Sequence, residues 1–347
     1  MNKDIKVVFM GTPDFAKCSL EKLVESGYNI VGVFTNPDKP SGRGMKLKPS
    51  DVKVYANEKG IPVFQPAKLR NNPEVIEILN RLQPDVICVV AYGKILPKEV
   101  LDFPKLGCIN VHGSLLPKYR GAAPMQWAII NGEKKTGITT MYMDEGMDTG
   151  DMLLKEEVEI TDEDNFETMH DKLKQIGANL LIKTLEKIED GSIKRQKQSD
   201  DFSIAPMIKR ETTKIDFNKT SREIFNFVRG LSPFPGTYME DKNLNKYKVF
   251  NVKIVNNDIK EEAKPGTVIK VSKNELVIST KDGGVSILEI QPPNSKRMDI
   301  VSFLNGNKKQ NFIEFCRTGT NRRMQEIQRP SEGRCGSRYC QYGPCGC

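Results

Sequence analysis

Along the first half of the chain, short unbroken apolar runs alternate with segments whose apolar residues return every third or fourth position. IKVVFMG (5–11), NIVGVFTN (29–36), PVFQP (62–66), PDVICVVAYG (84–93) and GCINVHGS (107–114) read as strands. Runs that are apolar at successive positions are buried on both faces. DFAKCSLEKLVES (14–26), SDVKVYANEKG (50–60) and PEVIEILNRL (73–82) have helical spacing, the second capped by Ser50 and stopped by Gly60. Buried strands separated by helices predict a mostly parallel sheet with crossovers, a Rossmann-like α/β unit.

The pattern then changes. GAAPMQWAIING (121–132) predicts a helix, and KTGITTMYM (135–143) and DMLLKEEVEI (151–160) predict strands. A long amphipathic helix is expected from Phe166 to Ile188, with Asp164 as its cap. His170 lies beside its apolar stripe and is read as structural. Residues 191–213 are polar and lack a period, as a linker would. SREIFNFVRGLSPFPGTY (221–238) predicts a helix ended by Gly230, then a proline-rich turn. From Tyr247 onward the period falls to two, which predicts a small antiparallel, OB-like barrel. The expected organisation is a catalytic unit over 1–190, a linker over 191–213, a β-barrel over 214–315 and a tail over 316–347.

A length of 347 residues agrees with two domains, and 38% hydrophobic with 28% charged residues is a soluble, globular mix. No run is long enough to span a bilayer, and the apolar stretch of MNKDIKVVFMG is too short for a signal peptide, so a cytoplasmic protein is expected. Charge is uneven. Residues 1–208 carry 28 Lys and Arg against 30 Asp and Glu, whereas residues 209–316 carry 19 against 13. That asymmetry fits either a polyanionic partner for the second part or a solvated lysine-rich surface. Cys18, Cys88 and Cys108 sit in apolar surroundings as free thiols, while five further cysteines fall between Cys316 and Cys347.

Four stretches hold candidate chemistry. MGTPDFA after the first strand is not G-x-G-x-x-G and reads as a tight turn. TNPDKPSGRGMKLKPS (35–50) is long for a connection and carries Lys39, Arg43, Lys46 and Lys48 against Asp38 alone. It suits either a loop that closes on an anion or a charged insertion. Asn110 and His112 stand two apart at the carboxyl end of a central strand, on one face and about 7 Å apart. An amide beside an imidazole is equipped to hold an oxyanion and manage a proton, and it equally describes a satisfied polar pair. MDEGMDTGDM (143–152) crowds Asp144, Asp148 and Asp151 into a glycine-rich loop without the order of a calcium loop. One of its carboxylates is placed to orient the histidine.

Taken together, INVHGSLLPKYRGAAPMQW and MDEGMDTGDM resemble the folate-dependent formyltransferases. AYGKILP (91–97), NPDKPSGRGMKLKPS and VRGLSPFPG (228–236) narrow the resemblance to the branch of that family acting on methionyl-tRNA, over residues 4–308. The resemblance implies transfer of the formyl group of 10-formyltetrahydrofolate to the α-amino group of methionine on initiator tRNA. It assigns catalysis to Asn110, His112 and Asp148, in preference to Asp151. It lays Ser114, Leu115, Leu116 and Pro117 along the folate, with Tyr92 and Gly93 nearby. It sends the loop of Arg43, Lys46 and Lys48 to the acceptor end of the tRNA and the basic barrel, with Lys253 and Lys270, to its inner side. No metal is expected, and a monomer is. Competing readings are a relative that formylates a sugar nucleotide or a purine-pathway amine, a formyl-folate hydrolase, or a non-catalytic tRNA-binding protein. Past Lys308 the match stops. Cys335, Cys340, Cys345 and Cys347 lack the paired spacing of zinc ligands, and the tail is expected to be disordered.

Overall fold

The computed structural model describes residues 4–41, 46–255 and 263–306. Arg43 and the cysteine-rich tail, both singled out above, lie outside the described residues. Strands β1 (Lys6–Gly11), β2 (Asn29–Phe34), β3 (Lys39–Ser41), β4 (Lys46–Lys48), β5 (Val63–Phe64), β6 (Val86–Val90), β7 (Cys108–His112), β8 (Lys135–Tyr142) and β9 (Met152–Glu159) precede residue 160. They are joined by helices α1 (Asp14–Glu25), α2 (Asp51–Glu58), α3 (Pro73–Leu82), α4 (Lys98–Leu101) and α5 (Pro124–Ile130). Seven strands make one sheet in the order β5-β2-β1-β6-β7-β8-β9. The first five are parallel, and β8 and β9 add on antiparallel.

The apolar runs become strands buried on both faces. Val7 and Phe9 join Cys88, Val90, Ile109 and Val111 in one core layer with α1 and with α6 (Phe166–Glu189). Val8, Met10, Ile87, Val89 and Cys108 enter the opposite layer, against Val75 and Leu79 of α3. By this alternation Asn110 and His112 leave β7 on the Cys108 side. Because β1, β2, β6 and β7 are parallel, the loops after them meet at one edge. There the Asn36 amide donates to Thr12 Oγ1 at 3.0 Å and to the Tyr92 carbonyl at 2.8 Å.

Two local expectations are corrected. Asp164 does not cap α6. Asn165 does, accepting from Thr168 N, while the Thr168 hydroxyl accepts from Asn165 N. Asp164 is instead buried and collects Thr161 N, the Thr161 and Thr168 hydroxyls and Lys172 Nζ. Nor is 35–50 wholly irregular: β3 and β4 pair as a short antiparallel ribbon, Lys39 opposite Lys48.

The second unit contains α7 (Ser221–Gly230), whose capping box joins Thr220 and Glu223, and Ile215 and Phe217 ahead of it already pack into its core. Strands β10 (Thr237–Glu240), β11 (Lys246–Val255), β12 (Val268–Val271), β13 (Leu276–Ser279), β14 (Gly284–Gln291) and β15 (Met298–Asp299) form an antiparallel sheet. Their order is β10-β11-β14-β13-β12, with β15 also on β14. The β11 residues Tyr247, Val249 and, past a register shift at Asn251, Val252 pack with Ile287 and Ile290 and with Phe303 of α8 (Ile300–Gly306) in a separate core. Arg229 of α7 ties the units together, donating from Nη1 to the carbonyls of Thr161 and Asp164.

Candidate active site

His112 is the last residue of β7 and is 5% exposed. Its Nε2 lies 2.9 Å from the carbonyl oxygen of Tyr119. A carbonyl only accepts, so Nε2 carries the proton and the lone pair of the neutral ring sits on Nδ1. Nδ1 faces Asp148 Oδ2 at 3.6 Å. That exceeds hydrogen-bond reach and suits a charge pair once the ring is protonated.

Asp148 is held in a loop that hardly any other sequence would close. Asp144 accepts from Gly146 N at 3.0 Å and from the Thr149 hydroxyl at 2.6 Å. A Cβ on Gly150 would stand 1.8 Å from the Tyr142 carbonyl oxygen, so glycine is required there. Asp148 itself has φ 54°, the left-handed region that a non-glycine residue enters at a cost. Its Oδ2 accepts from Gly121 N at 2.8 Å. Asp151 contributes its backbone, accepting from Tyr142 N at the root of β9. Of the three aspartates in the loop, Asp148 is the one at the imidazole.

Asn110 is half-buried, in register with Val89 and Met141. Among the described residues its carboxamide makes no side-chain hydrogen bond, which leaves a donor and an acceptor free beside His112. The structure therefore brings Asn110, His112 and Asp148 to one place.

The stretch 114–117 divides in two. Ser114 is buried and donates to the Lys118 carbonyl at 2.6 Å, while its own carbonyl takes the Thr139 hydroxyl at 2.7 Å. Leu116 is buried against Met141 and Met152. Its N–H donates to Thr139 Oγ1, and its carbonyl accepts from Lys155 Nζ at 2.6 Å. Leu115 and Pro117 are half-buried and remain available to a ligand. Tyr92 is also buried, which pushes its phenol pKa up. Ser114, Leu116 and Tyr92, expected along the folate, are thus buried residues of this stretch and its surroundings. Gly93 is exposed, with φ 74° and open space where a Cβ would be.

Sequence reasoning missed a second ring of residues. The Tyr119 hydroxyl donates to Glu133 at 2.8 Å and receives the Asn131 amide at 3.2 Å, which fixes the residue whose carbonyl holds His112. Tyr119 N donates to Ser203 Oγ at 2.9 Å, and Arg120 N to the Ser203 carbonyl at 2.8 Å. Trp127 Nε1 donates to the Pro206 carbonyl. Gln196 pairs with Met152, and Ile204 bridges to Arg120. The segment expected to be a linker therefore forms part of the wall. Its polar, aperiodic sequence held no signal of this.

Elsewhere, Lys48 is exposed on β4, which also contains Lys46. The ribbon is rooted by Lys53 Nζ on Asp38 and Gln65, each at 2.7 Å; the Lys53 and Gln65 hydrogen bonds draw the Asp38 pKa down. Lys253 and Lys270 converge on Glu275 at 3.5 and 2.7 Å. His170 packs between Phe15 and Phe166, with Asp14 and Asp171 each 3.6 Å from a ring nitrogen. Those three groups stand close enough to share a cation, but Lys174 already pairs with both carboxylates.

Residues 5–185 match the family model for "Formyl transferase", and 207–308 match that for its C-terminal domain. A methionyl-tRNA formyltransferase of Clostridioides difficile is 52% identical over 304 residues, 87% of this chain and 97% of that protein. Among solved structures, the sugar 3N-formyl transferase WlaRD superposes with a TM-score of 0.62 at 23% identity, over 84% of this chain and 99% of that one. HypX of Aquifex aeolicus, solved with tetrahydrofolic acid, gives a TM-score of 0.59 at 17% identity, over 89% of this chain. The present chain spans about half the length of HypX, 50% of it.

Proposed function

The chain belongs to the formyl transferase family, and from that membership we propose that it formylates the α-amino group of methionyl initiator tRNA with 10-formyltetrahydrofolate as donor. The observation that carries this reading is the unpartnered Asn110 amide beside an imidazole whose free nitrogen faces a carboxylate. In the reaction a bond forms between the methionyl nitrogen and the formyl carbon, and the bond from that carbon to the folate nitrogen breaks. The amine gives up a proton and the folate nitrogen gains one.

Each residue of the trio has a part in that balance. Asn110 donates to the formyl oxygen as negative charge builds there, a charge that does not exist in the substrate and is therefore worth stabilising. His112 Nδ1 takes up the proton, because Nε2 is already committed to Tyr119. The imidazolium so formed stands beside Asp148, whose carboxylate steadies the charge. Leu115, Pro117 and Gly93 line the folate side. The basic segment 35–50, with Arg43, Lys46 and Lys48 in its sequence, meets the acceptor end of the tRNA, and the basic second unit meets its phosphates. All three catalytic groups come from one chain, so a monomer suffices. Among the described residues no helix is long and apolar enough to cross a membrane.

The test is a formylation assay with charged initiator tRNA, an amino-sugar nucleotide and a purine-pathway amine offered in parallel. A tRNA-free arm follows formyl-folate hydrolysis. Formyl transfer confined to methionyl-tRNA supports the reading. Transfer to either small amine at a comparable rate, hydrolysis alone, or tRNA binding without transfer overturns it.

A further inference from the structure

We propose that Gln198, on the segment between the two units, is a positioning residue that holds Asp148 against His112. This rests on the role given to Asp148 above. The Gln198 carboxamide commits both its donors and one acceptor site at this one place. Its Nε2 donates to the carbonyls of Asp148 and Gly150, both at 2.8 Å, and its Oε1 accepts from Arg120 Nε at 2.8 Å. The amide orientation is fixed chemically, since carbonyls only accept and a guanidinium only donates.

The partner on the far side is equally constrained. Arg120 is buried, its guanidinium lies over the Phe202 ring at 4.4 Å, and its backbone pairs with Ser203 and Ala205. Its neighbour Gly121 donates directly to the Asp148 carboxylate. A closed circuit results. The 120–121 backbone grips the Asp148 side chain, and the Arg120 side chain, through Gln198, grips the Asp148 backbone.

That grip acts where the chain is least inclined to stay. Asp148 sits at φ 54°, a conformation that relaxes unless neighbouring groups hold it. Two carbonyls on either side of Thr149 are pinned by one amide nitrogen, which sets the peptide planes and hence where the carboxylate points. Without that donor the loop keeps its Asp144 turn and the Gly121 contact to the carboxylate but loses the restraint on the Asp148 backbone. Among the described residues the Gln198 side chain hydrogen-bonds Asp148, Gly150 and Arg120, and neither Asn110 nor His112. Its effect reaches the chemistry through Asp148.

The deciding experiment compares Gln198→Glu and Gln198→Met, alone and combined with Asp148→Asn, by single-turnover formylation of methionyl-tRNA. Glu keeps the contact to Arg120 but replaces both donors with an oxygen that repels the two carbonyls; Met removes all three hydrogen bonds. Expected is a ~10-fold fall in kcat for each variant, with KM for tRNA and folate within ~2-fold of the parent. In the Asp148→Asn background the further fall should be under ~2-fold, because the group being positioned is gone. Undiminished kcat in Gln198→Glu, or an equal fall with and without Asp148→Asn, overturns the proposal. If Gln198→Glu does not fold, Gln198→Met is judged by the same criteria. Full activity of Asp148→Asn would instead remove the role of Asp148 itself, a separate and recognisable failure.

Discussion

The Nε2 of His112 lies 2.9 Å from the carbonyl oxygen of Tyr119, and this one contact decides which nitrogen of the ring does chemistry. Both charge states of the imidazole keep a proton on Nε2 and differ only at Nδ1, which faces Asp148. His112→Ala and Asn110→Ala should each lower kcat by ~10²–10³ while changing folate affinity far less, since both act on charge that develops during the reaction. Steady-state kinetics beside a folate-binding titration checks this. Near-full turnover in either variant would remove that residue from the site.

Gly150 sets the loop that carries Asp148. Its Cβ position lies 1.8 Å from a backbone oxygen that cannot swing away. Gly150→Ala should destabilise the protein by ~1–3 kcal/mol and lower kcat more than folate affinity. Urea unfolding and kinetics on the same preparation test it, and wild-type behaviour in both would show that the loop yields freely.

Asp164 makes stability depend on pH. Burial alone would raise its pKa, but Lys172, the Thr161 N–H and hydroxyl and the Thr168 hydroxyl outweigh it and bring the value to about 2. A carboxylate whose pKa is lower in the folded state contributes fully above its unfolded pKa of ~3.9 and loses that contribution as pH falls toward 2. Asp164→Asn should therefore cost ~2 kcal/mol at pH 7, with the gap to the parent narrowing below pH ~4. Denaturant unfolding at pH 7 and pH 3 measures it; a pH-independent gap would mean the charge is not what matters.

Arg229 joins the two units through buried bonds to the carbonyls of Thr161 and Asp164 and to Asn226 Oδ1. Arg229→Ala leaves those acceptors unpaired and should cost ~3 kcal/mol. Calorimetry should show a lower transition temperature, with the second unit melting earlier than the first. An unchanged thermogram would show that the units are held by other contacts.

For the basic ribbon, Arg43→Ala should reduce preference for initiator over elongator methionyl-tRNA. Replacing Lys253 or Lys270 should instead weaken tRNA binding generally and lower its salt slope by about one. Binding measured from low to high salt with both tRNAs separates the two effects. An Arg43 variant with unchanged preference would leave the ribbon no discriminating part.

Much of this protein was written locally. Alternation of apolar runs and helical spacing placed β1, β2, β5, β6 and β7, because burial on both faces selects every residue of a strand, while the short ribbon of β3 and β4 carried no such run. Period two put Asn110 and His112 on one face, and Ser50 marked its helix by capping it. Short-range choice went wrong at α6, where Asp164, Asn165 and Thr168 all offer capping chemistry. The winner was decided by Lys172 drawing Asp164 inward.

The sequence by itself determined the strand-and-helix alternation, the face shared by Asn110 and His112, and a glycine-bound acidic loop, since each depends on backbone preferences over a few residues. The sequence also pointed to Asp148 in preference to Asp151, and tertiary structure alone decided how its carboxylate stands to the imidazole, that Tyr119 supplies the carbonyl fixing its tautomer, and that residues 196–206 close the site. Those partners are far apart along the chain. They meet because the loop joining β8 and β9, which leaves the sheet beside Cys108 at the amino end of β7, folds back until Asp148 stands at His112, a placement no local periodicity encodes.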